Sequence, residues 1–297
     1  MKNASIWNAA RSNPEMSIRP HLFTLLLISA LLSGCAAAPA AAALPATGTP
    51  IPATLAPTMT MPPTQTPVPP TPTLETIDSI CSPLDQVTLA ELNDIITQPY
   101  KTPRPKNDDG HHGVDFAFFR FNDIVGIEGL PVDAALPGEV VTVLHNRDPY
   151  GYALIVETPL NELNPALAAA FDMPEVQPTV VPDPRVNCPA SGELTFTLSE
   201  TDRSVYILYA HLKDEPVVQV GDQVACGQQL GLVGNSGMSS NAHLHFETRI
   251  GPSGARFESM AYYTLQSTEA ERYNYCVWRV SNLFQLFDPM ILLTSQY

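Results

Sequence analysis

The chain has 297 residues, of which 44% are hydrophobic and 15% charged, with 30 prolines and a formal net charge of −15. That charge disfavours nucleic-acid binding, which needs a basic footprint. Only the N-terminal region has an apolar run approaching a membrane span, so a polytopic membrane protein is excluded. The proline content, about twice the usual share, says that part of the chain is not globular.

Residues 1–34 read as an export signal: Lys2, Arg11 and Arg19 precede an apolar stretch from Leu22 to Leu32. The segment Leu32-Ser33-Gly34-Cys35 resembles a bacterial lipobox, which implies cleavage before Cys35 and lipidation of its sulfur. Removing three basic and one acidic residue leaves a mature chain of about −17. The expected location is extracytoplasmic, anchored to the cell membrane as a lipoprotein. Residues 35–75 follow as an Ala/Pro/Thr-rich linker, uncharged from Ala36 to Leu74. Such a segment cannot bury a core, and as an extended polyproline-like tether of about 3.1 Å per residue it reaches on the order of 120 Å. A passive, glycosylated stalk is compatible with the same composition.

Residues 76–297 are expected to form the folded part. Thr88 and Glu91 have capping-box spacing, and Leu89, Leu92, Ile95 and Ile96 share a helical face, which predicts one short helix. Residues 101–110 read as a loop. Beyond it the pattern is β: EVVTVLH, YALIVET, LTFTLS, SVYILYAHL, VVQV, QLGLVG and HLHFETRI. No long amphipathic helix separates these runs, so a βαβ sheet is not expected. Residues 158–192 interrupt the rhythm with LNPALAAAF, read as a short helix, and a proline-rich loop. They are taken as an insertion between two strands. The tail from about 256 scatters Tyr, Phe and Trp among polar residues and is expected to pack back on the sheet. Cys81, Cys188, Cys226 and Cys276 lack the spacing of a zinc site, and export favours disulfides, for which the pairs Cys81–Cys276 and Cys188–Cys226 are preferred.

Three motifs carry chemistry. In His111-His112-Gly113-Val114-Asp115, His111 and Asp115 would stand about 13 Å apart on a straight strand. They can share one ion only if the backbone bends, as Gly113 allows; alone the motif equally describes a polar loop entering a strand. In His243-Leu244-His245-Phe246-Glu247, alternation puts His243, His245 and Glu247 on one face. Two same-face histidines about 7 Å apart suit one metal ligand and one neighbour acting on its water, with Glu247 either supporting the ligand or exposed. The third, Tyr209-Ala210-His211-Leu212, ends a strand, where a lone histidine is commonly structural.

Taken in order, HHGVD, YAHL and HLHFE resemble the lysostaphin-type, or LytM-like, zinc endopeptidases of bacterial cell walls. The intervening VQVGDQVACGQQLGLVGNSG is similar to that family's glycine-rich segment, with Gly221, Gly227, Gly231 and Gly234 at turns. The resemblance covers about residues 100–250. It implies a mainly β fold of antiparallel sheets forming an open groove, of the duplicated hybrid-motif type. It implies that His111, Asp115 and His245 bind Zn2+ and that His211 and His243 are catalytic. Three protein ligands leave an open metal position, the catalytic arrangement, and peptidoglycan cross-links or stem peptides are the implied substrate. His112 fills the variable position of the first motif and is expected to be a bystander; His145 sits at an expected turn and matches no motif. About ten extra residues around Phe118–Gly129, and the long insertion, depart from the family pattern and put the substrate preference in doubt. The rival reading is a catalytically silent module that activates another wall hydrolase. Such modules lack a ligand, whereas all five positions are filled here.

Overall fold

Why a run such as SVYILYAHL is apolar on both faces from Val205 to Ala210 becomes clear from its surroundings. In the computed structural model, which describes residues 76–104, 107–171, 188–189 and 192–294, both faces of the central sheet are covered. The strands are β1 (Ile96–Gln98), β2 (Gly113–Phe116), β3 (Arg120–Phe121), β4 (Ile124–Val125), β5 (Pro131–Asp133), β6 (Gly138–Arg147) and β7 (Gly151–Pro159). After α1 (Pro165–Ala170) come β8 (Arg203–Leu212), β9 (Gln223–Val224), β10 (Gln229–Leu232) and β11 (Leu244–Pro252), then α2 (Glu269–Val280), β12 (Gln285–Phe287) and α3 (Pro289–Leu293). The main sheet runs β1-β2-β11-β8-β7-β6-β9, every pair antiparallel. β12 continues along the edge of β11 that β2 occupies further up. β5 pairs β10, and β3 pairs β4, in two small separate sheets. The fold is thus mainly antiparallel β, in open sheets, as expected.

On β8, Val205, Ile207 and Tyr209 point into one apolar cluster, with Val114, Phe116, Leu244 and Phe246. Tyr206, Leu208 and Ala210 point into the other, with Tyr275, Val277 and Trp278 of α2. Each fully buried aliphatic side chain contributes about 1.5–3 kcal/mol, so a two-faced strand is stabilised at every position. The second cluster exists because residues 255–284 fold back over the sheet, and the tail packs as expected. Its twelve-residue helix α2, opened by a capping box between Thr268 and Glu271, is an element that the scattered aromatics concealed.

Other expectations need correction. Residues 92–95 form a single 3-10 turn rather than a longer helix, although the Glu91 carboxylate accepts from the Thr88 N–H and hydroxyl as the capping-box spacing predicts. LTFTLS and VVQV are not strands; β9 begins instead at Gln223. The disulfides are Cys81–Cys226 and Cys188–Cys276, not the preferred pairs. The first ties the lead-in to the turn after β9, and the second ties the insertion to α2, because those are the segments that the sheet brings together. His145 lies in β6, exposed and 2.7 Å from Glu215, rather than at a turn. The insertion does contain a short helix, α1, capped by the Asn164 side chain. The signal segment, Cys35, the linker and residues 172–187 lie outside the described residues. Among the described residues no helix is long and apolar enough to cross a membrane.

Candidate metal centre

The register of two ladders assembles the site. Asp115 on β2 stands directly opposite His245 on β11, and His245 stands opposite Ala210 on β8. Because Val114, Phe116, Leu244 and Phe246 fill the core on one side, alternation turns Asp115 and His245 to the other. His111 precedes β2 and is bridged to Lys101 by two backbone hydrogen bonds of 2.9 Å. That bridge supplies the bend which the first motif requires. Gly113 has a second function: a Cβ there would lie 2.5 Å from Phe246 O and 2.9 Å from His245 Cε1. The ligand ring occupies the space that any other residue would need.

The three side chains converge. His111 Nε2 is 3.1 Å from Asp115 Oδ1, His245 Nδ1 is 2.8 Å from the same oxygen, and the two nitrogens are 3.3 Å apart. Bond lengths of about 2.0–2.1 Å in a tetrahedral zinc site separate neighbouring donors by about 3.3 Å. The donor set, two imidazole nitrogens and a carboxylate oxygen, is also the zinc type. The outward ring nitrogens agree: His111 Nδ1 faces Pro99 O at 3.0 Å and His245 Nε2 faces Glu247 Oε2 at 3.5 Å. With an ion bound, donating there would leave the inward nitrogens as lone pairs, the tautomers that a metal needs. These residues fit the ion. Burial opposes a charged Asp115, but hydrogen bonds from His111 and His245 prevail and hold its carboxyl below the usual range. Burial likewise opposes a charged His245, and the Asp115 and Glu247 carboxylates prevail to raise it.

His211 and His243 flank these donors. His211, at the end of β8, has φ +61°, an uncommon backbone conformation that is held by its neighbours. Its Nδ1 donates to Ser236 O at 2.8 Å, while the Ser236 hydroxyl accepts from Tyr152 N and donates to Leu212 O. Burial, then the nearby His245 and His243 rings, push its pKa down to about 3. His243 is not in β11 but in an isolated bridge to Gly234. Its Nδ1 donates to Asn241 O at 2.8 Å, and its Nε2 lies 3.6 Å from Asp115 Oδ1. The two rings are 4.7 Å apart between centroids. Both histidines therefore have Nδ1 committed to a backbone carbonyl and keep Nε2 for the cleft.

A buried polar layer lies behind the donors. Glu247, fully buried, accepts from Arg249 Nε at 2.5 Å, and the arginines overcome its burial to hold its pKa well below the ordinary value. His112 is no bystander. It is 1% exposed, its Nδ1 accepts from Arg249 Nη2 at 2.8 Å, and its pKa falls to about 2 through burial first and then Arg279 and Arg249. Arg279 and Asp108, which the motifs do not contain, complete the layer with an ion pair at 2.8 Å. The alternation of β11 already placed Arg249 on the His245 face; nothing local pointed to Arg279. The donors open on a cleft of about 430 Å³, whose lining also includes Tyr263, Tyr275 and Arg279 from the C-terminal extension.

Among solved structures, the chain is similar to the catalytic domain of the antimicrobial peptidase lysostaphin from Staphylococcus simulans. That likeness has 19% identity over 71% of this chain and 100% of that one, with a TM-score of 0.34. It is also similar to a zinc-containing peptidase from Vibrio cholerae, at 21% identity over 60% of this chain and 39% of that one, TM-score 0.33. A third is a single-residue mutant of the catalytic domain of the prophage-encoded M23 protein EnpA from Enterococcus faecalis, at 19% identity over 54% of this chain and 82% of that one, TM-score 0.31. No curated protein matches the chain. Residues 189–257, the segment that holds His211, His243 and His245, match the model of Peptidase family M23.

Proposed function

We propose that the protein is a zinc-dependent endopeptidase that hydrolyses peptide bonds in peptidoglycan cross-links or stem peptides. The observation that carries this reading is the convergence of His111 Nε2, Asp115 Oδ1 and His245 Nδ1 on one point, with two further histidines presenting Nε2 beside it. When bound, zinc lowers the pKa of a water to about 7 and polarises a carbonyl. The chain's own residues do the rest. His111, Asp115 and His245 hold the ion through inward lone pairs. One of His211 and His243 accepts the proton of the attacking water at Nε2 and returns it from that atom to the leaving nitrogen, while the other lies beside the oxyanion that forms. Ser236 O and Asn241 O hold the two rings in the tautomer that makes this exchange possible.

The test is digestion of purified peptidoglycan by the purified protein, with products identified by mass and zinc measured by elemental analysis. One zinc per chain and new peptide termini are expected. Zinc without cleavage, together with activation of a second wall hydrolase, would instead establish the silent regulatory module.

The same proposal includes a lipid on Cys35, supported by Leu32-Ser33-Gly34-Cys35 and the basic leader. The linker then carries the peptidase away from an extracytoplasmic membrane surface. Cys35→Ser should release the protein from the membrane fraction or block signal removal; unchanged retention and mature mass overturn this part.

A further inference from the structure

Arg279 is the sole Lys or Arg among the described residues that line the cleft. It comes from α2, beyond the segment that matches the peptidase family. Three contacts hold it. Nε donates to Asp108 Oδ1 at 2.8 Å, Nη1 donates to Tyr150 Oη at 3.3 Å, and the guanidinium sits 5.5 Å from the Tyr275 ring centre. Nη1 also lies 3.7 Å from Glu247 Oε2. A guanidinium has five N–H donors in a planar fork. Nη2, with two of them, has no hydrogen-bond partner among the described residues, and the side chain keeps 13% exposure in a cleft-lining position.

The surrounding acids are already engaged. Asp108 also accepts from the Tyr263 and Tyr275 hydroxyls, at 2.6 and 2.7 Å. Glu247 is paired with Arg249, and Asp115 with His111 and His245. The fork is thus fixed in position before any ligand arrives, its ordering cost already met by the fold. Nη2 is left with charged N–H donors for an anion such as a carboxylate.

We infer that Arg279 binds a carboxylate of the substrate, so that the cleft selects acidic peptides, through a side-chain or C-terminal carboxylate, over uncharged ones. This rests on the hydrolase reading and narrows its substrate class. It also gives the C-terminal extension a part in recognition: Tyr263 and Tyr275 donate to Asp108, which holds the guanidinium at Nε.

The full chain is titrated with acetyl-Ala-D-isoglutamate-Lys-D-Ala-D-Ala in four forms: both carboxylates free, the C-terminus amidated, the isoglutamate amidated, and both amidated. Calorimetry reads affinity, and chromatography with mass detection reads cleavage. Loss of the recognised carboxylate should weaken binding about ten- to a hundredfold, the range of a charge-assisted hydrogen bond, and the single amides identify which carboxylate it is. With zinc saturating in every titration, Arg279→Gln should bind all four forms equally, and Arg279→Lys should retain part of the preference. If Arg279→Gln does not fold, the four-form comparison on the wild type and Arg279→Lys still decides. Equal affinities for the four forms, no binding of any, or a preference that survives in Arg279→Gln overturns the inference. Cleavage without carboxylate preference removes this role and leaves the hydrolase standing; preference in binding without cleavage does the reverse.

Discussion

Arg279 Nε donates to Asp108 Oδ1 at 2.8 Å, joining two residues 171 apart in the chain. Asp108 lies three residues before the candidate ligand His111, and Lys101, earlier in the same loop, bridges to His111. Helix α2 thereby holds the loop that delivers His111 to the candidate metal site. Asp108→Asn keeps the shape but leaves Arg279 without its anion. Breaking a buried pair on one side costs about 3–5 kcal/mol, and loss of support behind a ligand typically costs about 10–100-fold in metal affinity. A denaturant titration beside a zinc titration should show both losses. Unchanged zinc affinity would confine Asp108 to a stabilising role.

His243 and His245 are two residues apart and are assigned different work. His245 has its Nδ1 among the three converging donors, whereas His243 Nε2 stands 3.6 Å from Asp115 Oδ1 and outside that group. His111→Ala, Asp115→Ala and His245→Ala should each purify with little zinc. His211→Ala and His243→Ala should keep near-stoichiometric zinc and lose about 10²–10⁴ in rate, the range of general acid–base catalysis. Elemental analysis beside wall hydrolysis separates the groups. Loss of metal in His243→Ala with retention in His245→Ala reverses the pair.

Gly113→Ala tests the close approach of β2 to His245. The added Cβ meets the Phe246 carbonyl at 2.5 Å and the His245 ring at 2.9 Å, so the strands must part or the ring must turn. Overpacking of this kind costs about 1–3 kcal/mol, and a turned ring misdirects Nδ1. Lower thermal stability and weaker zinc binding should appear together. A variant with wild-type values for both would show that the contact yields freely.

Glu271 should contribute to acid sensitivity from outside the candidate metal site. Burial would raise its pKa, but Arg147 through two hydrogen bonds of 2.7 and 2.8 Å, followed by the Thr268 N–H, holds it at about 2 against an ordinary value of 4.5. A depressed folded-state pKa means stability that is complete above about pH 4.5 and is lost as pH falls toward 2. Discounted for solvent screening, this amounts to about 1 kcal/mol. Glu271→Gln should be less stable than wild type at neutral pH and should converge on it in acid. Melting curves that stay parallel from pH 6 to about 2.5 would contradict the assignment.

Much of the site was legible locally. Strand alternation has a period of two, so HLHFE by itself puts His245 and Glu247 on one face, and Leu244 and Phe246 in the core. The order of the three histidine motifs, the antiparallel β class and the short helix in the insertion were readable for the same reason: each depends on neighbours a few positions away. Which strands pair, and in what register, depends on burial summed over the whole sheet. Only that sum sets Asp115 opposite His245, 130 residues on, and chooses Cys226 for Cys81 and Cys276 for Cys188. His112 shows the limit most plainly. The family resemblance implies a variable position there, and what buries it against Arg249 is a strand 137 residues away. A one-dimensional pattern records what a residue needs on either side of itself; the partner that crosses the sheet to meet it is decided by packing.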